Sequence, residues 1–166
     1  MKKAFRMDSL KIRPICDTDG EIAASIFFDA VHAGTREYYT HEQREAWGGT
    51  APDPAAWDDR LRGMEGFVAE LDGSPVGFMT IDRGGYIDLA FVMPSVAGTG
   101  VGWQLYGAVE RSAREFGATR LTTQASRKAR PFFERQGWTV EREQTAVRRG
   151  VELTNFRMWK QLTSEA

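Results

Sequence analysis

The chain has 166 residues, 42% hydrophobic and 27% charged, with 22 basic side chains against 23 acidic ones. That length and balance suit one globular domain with a single core and exclude a disordered or low-complexity chain. A net charge of -1 gives no global pull toward nucleic acid, no apolar run approaches membrane-spanning length, and one cysteine beside two histidines offers neither an intrachain disulfide nor a zinc-ligand spacing. The N-terminal MKKAFRMDSLKIRP has no apolar stretch of signal-peptide length, so the expected location is cytoplasmic, with no membrane and no nucleic-acid partner and no metal.

In chain order, LKIRPIC at 10–16 alternates and predicts a first strand. Thr18 or Asp19 caps a helix to about His32, with Ile22, Ile26, Phe27, Ala30 and Val31 on one face and Gly34 as the stop. Thr40 followed by Gln43 is a capping-box pattern and opens a short helix toward Trp47. Asp53-Pro54 opens another helix through about Leu61. The period then changes to two, predicting strands at 67–72, 75–82 and 86–92, with turns at Asp72-Gly73 and Gly84-Gly85. A helix follows over 99–116, then a strand in ATRLTTQAS, a helix over 127–136, and a strand pair at 138–148 and 151–162 turning at Arg149-Gly150. Written as β-α-α-β-β-β-α-β-α-β-β, this order predicts an α/β (α+β) fold with a mixed sheet covered by helices on both faces. Residues 1–166 read as a single domain. Cys16 reads as a small core residue and His32 as a partner for a helix C-terminus.

Between the strand at 86–92 and the next helix lies VMPSVAGTGVGW, with glycines at 98, 100 and 102. It fits neither common phosphate fingerprint. Gly102 is followed by Trp103 and Gln104, where a Walker loop has lysine and a hydroxyl, and the GxGxxG spacing fails in both frames. The run Val92-x-Pro94 followed by Ala97-x-x-Gly100-x-Gly102 resembles a signature of the GNAT superfamily of acyl-CoA-dependent N-acetyltransferases. A second block, Ala129-Arg130-Pro131-Phe132-Phe133-Glu134-Arg135-Gln136-Gly137-Trp138, is similar to that family's A-x-x-F-Y-x-x-x-G-F signature. Together with Tyr39-Thr40-x-Glu42-Gln43 and the tail LTNFRMWK, the likeness covers nearly the whole chain and looks like a bacterial subgroup whose acceptors are mostly unassigned.

The resemblance implies a GNAT-like fold with a splayed strand pair and acetyl-CoA as co-substrate. The diphosphate would lie on Gly98, Thr99, Gly100, Val101, Gly102 and Trp103, where backbone amides and the helix dipole attract an anion. The pantetheine arm would run along Ala90, Phe91 and Val92, and Ser126 stands at the position of an Asn that often touches the cofactor. A small-molecule or peptide amine would be the acceptor, with a homodimer through the last strand pair not required by the sequence.

Transfer to an amine needs a base, because a lysine-like ammonium has a reference pKa of about 10. Asp88, in IDLAFV, is the first candidate, and its ordinary alternative is a strand-end aspartate bound to backbone or an arginine. Glu42 is a second candidate, with dipole compensation at a helix start as its alternative. An oxyanion donor is expected from the main chain near Phe91–Val92. The family's usual general-acid tyrosine is Phe133 here, so a proton for the thiolate would come from water, Ser126 or Tyr39. Ala97 likewise lacks the usual glutamine or arginine, for which Arg127, Lys128 or Arg130 could compensate. Tyr38, Tyr39, Glu42, Trp47 and Trp57 form an aromatic and acidic group suited to a cationic or aromatic amine, or else simply pack helices on the sheet. Phe133 and Ala97 keep open a second reading, a non-catalytic acyl-CoA-binding or regulatory domain. A nucleotide-binding α/β domain is a third, weakened by the missing lysine and hydroxyl.

Overall fold

A computed structural model describes residues 9–163. The first sheet contains β1 (Leu10–Pro14), β2 (Gly66–Leu71), β3 (Ser74–Thr80) and β5 (Ala90–Val92) in that order, all antiparallel. The second contains β4 (Tyr86–Ile87), β6 (Arg120–Ser126), β8 (Val151–Gln161) and β7 (Thr139–Arg148), with β4 parallel to β6 and the other pairs antiparallel. Asp72-Gly73 and Arg149-Gly150 have positive φ at both residues, the two-residue turn that matches strand twist.

Five α-helices cover the sheets among the described residues: α1 (Gly20–His32), α2 (His41–Gly48), α3 (Pro54–Leu61), α4 (Val101–Glu115) and α5 (Ala129–Arg135). The capping box at Thr40 forms as the sequence predicts, with Gln43 N–H donating to Thr40 Oγ1 at 3.2 Å and the Gln43 side-chain oxygen accepting from Thr40 N–H at 2.9 Å. Asp53 caps α3 by accepting from Ala56 N–H at 3.2 Å. The helix read over 54–61 makes three helices before β2, one more than the compact element order counts.

Two cores result. On one face, Val101, Leu105, Val109 and Ala113 of α4 pack with Phe133 of α5 against Met79, Leu121, Phe156 and Met158. On the other, Ala23, Ala24 and Ile26 of α1 and Trp57 and Leu61 of α3 pack against Val68, Phe78 and Leu89. Trp57 is therefore core, 5% exposed, rather than a free aromatic wall.

Cys16 is a correction. It is exposed, because β1 ends at Pro14 and the chain turns into a short 3-10 helix, where Sγ donates to Asp19 Oδ2 at 3.3 Å. The buried residue of that corner is Asp19, 3% exposed, which Arg13 grips at 2.9 Å through both carboxylate oxygens; Arg13 also pairs with Glu70. Those guanidinium bonds hold the Asp19 carboxyl down at about 2. His32, at the end of α1, bonds the Gly49 carbonyl through Nε2 at 2.7 Å and so ties α1 to the loop after α2.

The segment predicted as one strand, 86–92, comes as two pieces in two sheets. Alternation slips at its middle. Ile87 belongs to the α4 core and Leu89 to the α1 core, and consecutive Asp88 and Leu89 line the same cavity. A slip of this bulge-like kind bends a strand and re-aims its side chains.

Candidate active site

The slip opens the sheet. Tyr86 and Ile87 pair with Thr122 and Thr123 of β6, whereas Ala90–Val92 pair only with β3. At the end of that short ladder Thr123 Oγ1 donates to the Ile87 carbonyl at 2.8 Å. Beyond it the pairing with β6 ends, and among the described residues Ala90–Val92 have no partner strand on the side away from β3, which leaves a gap in the sheet beside them. Thr80 N–H donates to the Leu89 carbonyl at 2.9 Å, and Met93 N–H to the Val76 carbonyl at 2.7 Å. Antiparallel alternation then assigns Phe91 to β3 and turns the N–H and C=O groups of Ala90 and Val92 into the gap. Of the expected main-chain donors near 91–92, the one free for an oxyanion is thus the Val92 amide.

At the mouth of the gap stands the glycine loop. Gly98 has φ +74 and Gly100 φ +98, and a Cβ built on Gly98 would meet no atom within 4 Å. The first intrahelical donor of α4 is Gln104 N–H, onto the Gly100 carbonyl at 3.1 Å. The amides of Val101, Gly102 and Trp103 therefore point out of the helix start. The notch is open and lined with donors, so it fits an anionic diphosphate without a lysine. Trp103 itself is 58% exposed. Arg130 does not stand in for the missing side chain at Ala97, since it pairs with Glu134 at 3.0 Å and lies over the Phe156 ring. Lys128 is half-buried against Gly34, and burial lowers its ammonium pKa.

On the α1 side of the second sheet lies a cavity of about 360 Å³. Its floor consists of alternate residues of each strand: Tyr86 and Asp88, Gln124 and Ser126, Leu153 and Asn155, Ala146 and Arg148. Phe27, Tyr39, Trp47 and Phe91 form the wall. Phe27 and Phe91 meet edge to face at 5.0 Å, and Tyr39 and Trp47 at 5.7 Å. Helix α2 roofs the cavity through three clasps. Tyr39 Oη donates to the Thr154 carbonyl at 2.6 Å and accepts from Arg127 N–H at 3.0 Å. Gln43 Nε2 donates to the Glu152 carbonyl at 3.0 Å. Arg149 donates to the Glu45 and Ala46 carbonyls, both at 3.2 Å, at the end of α2.

Of the residues singled out in the sequence, Asp88, Ser126, Tyr39, Trp47 and Phe91 line this one cavity. Asp88 also has the arginine partner of its ordinary reading, Arg60, at 3.4 Å. Glu42 and Tyr38 are not among the residues lining it. Helix α2 turns Gln43, Ala46 and Trp47 toward the sheet, leaving Glu42 on its outer face, and Tyr38 faces out where Tyr39 faces in. Burial raises the Tyr39 hydroxyl pKa, and its proton is committed to Thr154, so Tyr39 holds the roof rather than donating. Phe133 is 1% exposed in the α4 core and has no access to the cavity. Ser126 Oγ accepts from Ala129 N–H at 3.1 Å, which leaves its own hydroxyl hydrogen free.

Sequence reasoning missed Arg60, Tyr86 and Asn155, whereas the basic cluster Arg148-Arg149 reads from the sequence either as a solvated turn or as a contact for an anionic ligand. Asn155 Oδ1 is buried without a partner at the cavity floor. The alternation of LTNF offered a weak signal for it, but not which face the cavity would occupy. Among the described residues, no group of three His, Cys, Asp or Glu side chains is arranged to hold a metal, and no helix is long and apolar enough to cross a membrane.

Residues 35–160 match the family described as "Acetyltransferase (GNAT) domain". The chain belongs to the GNAT family. Consistent with this, it is 33% identical over 153 residues to YafP of Escherichia coli K12, named an uncharacterized N-acetyltransferase, covering 92% of this chain and 96% of that protein. A GCN5-related N-acetyltransferase structure from Rhodopseudomonas palustris superposes with a TM-score of 0.87 at 35% identity, over 93% of this chain and 96% of that one. The yncA structure of Salmonella typhimurium, solved with its cofactor acetyl-CoA, shares the fold at a TM-score of 0.68 and 19% identity, over 95% and 96% of the two chains. The GNAT chain described here is accordingly an N-acetyltransferase by family, with the mixed α/β fold that the resemblance implied.

Proposed function

We propose that this chain acts as one catalytic domain that moves the acetyl group of acetyl-CoA to the primary amine of a small molecule or peptide, in a ternary complex. The observation that carries the reading is the gap beside Ala90–Val92, which shares Phe91 and Ser126 with a cavity holding Asp88. Donor and acceptor would meet there with no wall between them. The amides of Val101–Trp103 hold the diphosphate, with Gly98, Thr99 and Gly100 shaping the approach, and Ala90 and Val92 pair with the amide-bearing arm.

Acetyl-CoA, when bound, supplies the activated acyl carbon; the chain supplies position and proton transfer. Asp88 takes a proton from the acceptor ammonium, directly or through water. The freed nitrogen bonds to the acetyl carbon as the carbon–sulfur bond breaks. Val92 N–H donates to the carbonyl oxygen while negative charge develops on it. The Ser126 hydroxyl, whose hydrogen is uncommitted, would donate to the departing sulfur; a thiol with a pKa of about 8.5 needs little help to leave. In balance, coenzyme A departs as the thiol and one proton reaches solvent.

The test is free-thiol release from acetyl-CoA over an amine panel, beside equilibrium binding of coenzyme A. Binding with amine-dependent release is the expected result. Binding without release across a broad panel would favour the non-catalytic acyl-CoA-binding reading instead.

A further inference from the structure

The cavity's charge differs from the acidic and aromatic site that the sequence suggests. Its lining holds three guanidinium groups, Arg60, Arg148 and Arg149, against one carboxylate, Asp88, in a chain whose net charge is -1. Arg60 and Asp88 offset each other. Arg149 is anchored on main-chain carbonyls at the end of α2, which fixes its position without cancelling its charge. Arg148 bonds only its neighbour's carbonyl, Val147 O at 3.3 Å, and has no acidic partner among the described residues. Burial and the carboxylates of Asp88 and Asp82 raise the Tyr86 hydroxyl pKa while Arg60 and Arg148 oppose them, and both guanidinium groups line the cavity with Tyr86, one from α3 and one from β7. Beside them Asn155 lines the floor, its buried Oδ1 without a hydrogen-bond partner among the described residues.

We infer that the acceptor is a small amine that also carries an anionic group, a carboxylate or phosphonate, bound by Arg148 and Arg60 while its nitrogen lies toward Asp88 and Asn155. The inference rests on the transferase reading of the same cavity. A dicationic amine meets an excess of like charge there, and a neutral amine leaves Arg148 without a partner. An anion on Arg60 also competes for the guanidinium that holds Asp88 at 3.4 Å, leaving the carboxylate to the ammonium. The aromatic wall of Phe27, Trp47 and Phe91 accommodates an apolar side chain between the two charged ends.

The experiment uses matched acceptors with the coenzyme A-loaded protein: L-phenylalanine, its carboxamide and phenethylamine, and 2-aminoethylphosphonate beside its dimethyl ester. Calorimetry measures binding, and thiol release from acetyl-CoA measures turnover, corrected for the fraction of free amine. The expected result is that the members with a free carboxylate or phosphonate exceed their partners, in which that group is absent or neutralised, at least about tenfold in affinity and in kcat/KM. Arg148→Gln, on an exposed hairpin, is expected to erase that preference by raising KM with little change in kcat. Equal or better binding of the partners without that anionic group, persistence of the preference in both Arg148→Gln and Arg60→Gln, or no binding by any member overturns the inference. Preferential, arginine-dependent binding of the anionic amines without thiol release upholds it and overturns the transferase reading instead.

Discussion

In the proposed reaction the two sides of the splayed sheet would recognise their ligands by different means. On the donor side, recognition would come from backbone: the amides of Val101–Trp103, the left-handed Gly100 and the gap-facing groups of Ala90 and Val92, all within one stretch of chain. On the acceptor side it would come from side chains that several helices and strands bring to one cavity, from Phe27 to Asn155. A donor side built on local main-chain geometry would tolerate Ala97, because a side chain there only adds to the backbone donors. The acceptor side has no such reserve. Each of its polar groups is a single side chain whose neighbours come from distant sequence.

The sharpest way to break this contrast is Gly102→Asp. Gly102 lies in the first turn of α4, where an acidic side chain favours the helix by about 0.3–1 kcal/mol. Its Cβ would meet the Phe132 ring at 3.4 Å, an ordinary contact. The carboxylate would occupy the place of an anion. Coenzyme A affinity should fall by at least about 100-fold, several charge-assisted bonds being lost at once, with the thermal midpoint unchanged or slightly raised. A folded variant that still binds coenzyme A normally would remove the glycine loop from the site. Comparable in size is Asp88→Asn, which should lower kcat by about 10²-fold or more with coenzyme A affinity within twofold, the signature of a general base on the acceptor side. Full activity would retire Asp88 and leave Arg60 its only partner.

Legibility divides along the same line. The glycine loop, the α4 stripe from Val101 to Ala113 and the caps at Thr40 and Asp53 are local, so spacing and residue type announce them. The splitting of 86–92 is not local. Tyr86-Ile87-Asp88-Leu89 reads as ordinary alternation, and the slip at Asp88-Leu89 is imposed by β6 pairing one end while β3 holds the other. The acceptor arginines were only partly legible for the same reason. Arg148-Arg149 reads as a solvated turn or an anionic-ligand contact with nothing local to choose between them until β7 meets the end of α2, and nothing near Arg60 in sequence points to Asp88. Cys16 misled because an alternating pattern was carried two residues beyond the end of β1.

Two smaller effects probe scaffolding rather than chemistry. Tyr39→Phe leaves the Thr154 carbonyl and the Arg127 amide without their shared partner, and should cost about 1–3 kcal/mol in chemical denaturation. Because the roof of the acceptor cavity loosens, acceptor KM should rise while coenzyme A affinity holds. An equal loss on both sides would show that the two halves are not separable. Asp19 stands outside both. Its folded carboxyl, near 2, lies below the unfolded value of 3.8, so its stabilisation is complete above about pH 5 and fades as pH falls from about 4 toward 2. Asp19→Asn should therefore cost at most on the order of 2 kcal/mol at neutral pH and progressively less in acid, without touching either affinity. A stability gap that stays constant across that range would mean that Arg13 does not discriminate the two protonation states.

The smallest expected effect runs in the gaining direction. Ala97 is exposed at the residue after the 3-10 turn Pro94–Val96, with extended backbone that any side chain adopts, at the place where the family usually carries glutamine or arginine. If the donor side works chiefly through main chain, then Ala97→Gln adds one hydrogen bond to an already sufficient set. A single such bond is worth about 0.5–1.5 kcal/mol net, so coenzyme A should bind about two- to tenfold more tightly with kcat unchanged. A gain of several hundredfold, measured by the same coenzyme A titration, would mean that the amides of Val101–Trp103 hold the diphosphate poorly. The donor side would then depend on single side chains just as the acceptor side does.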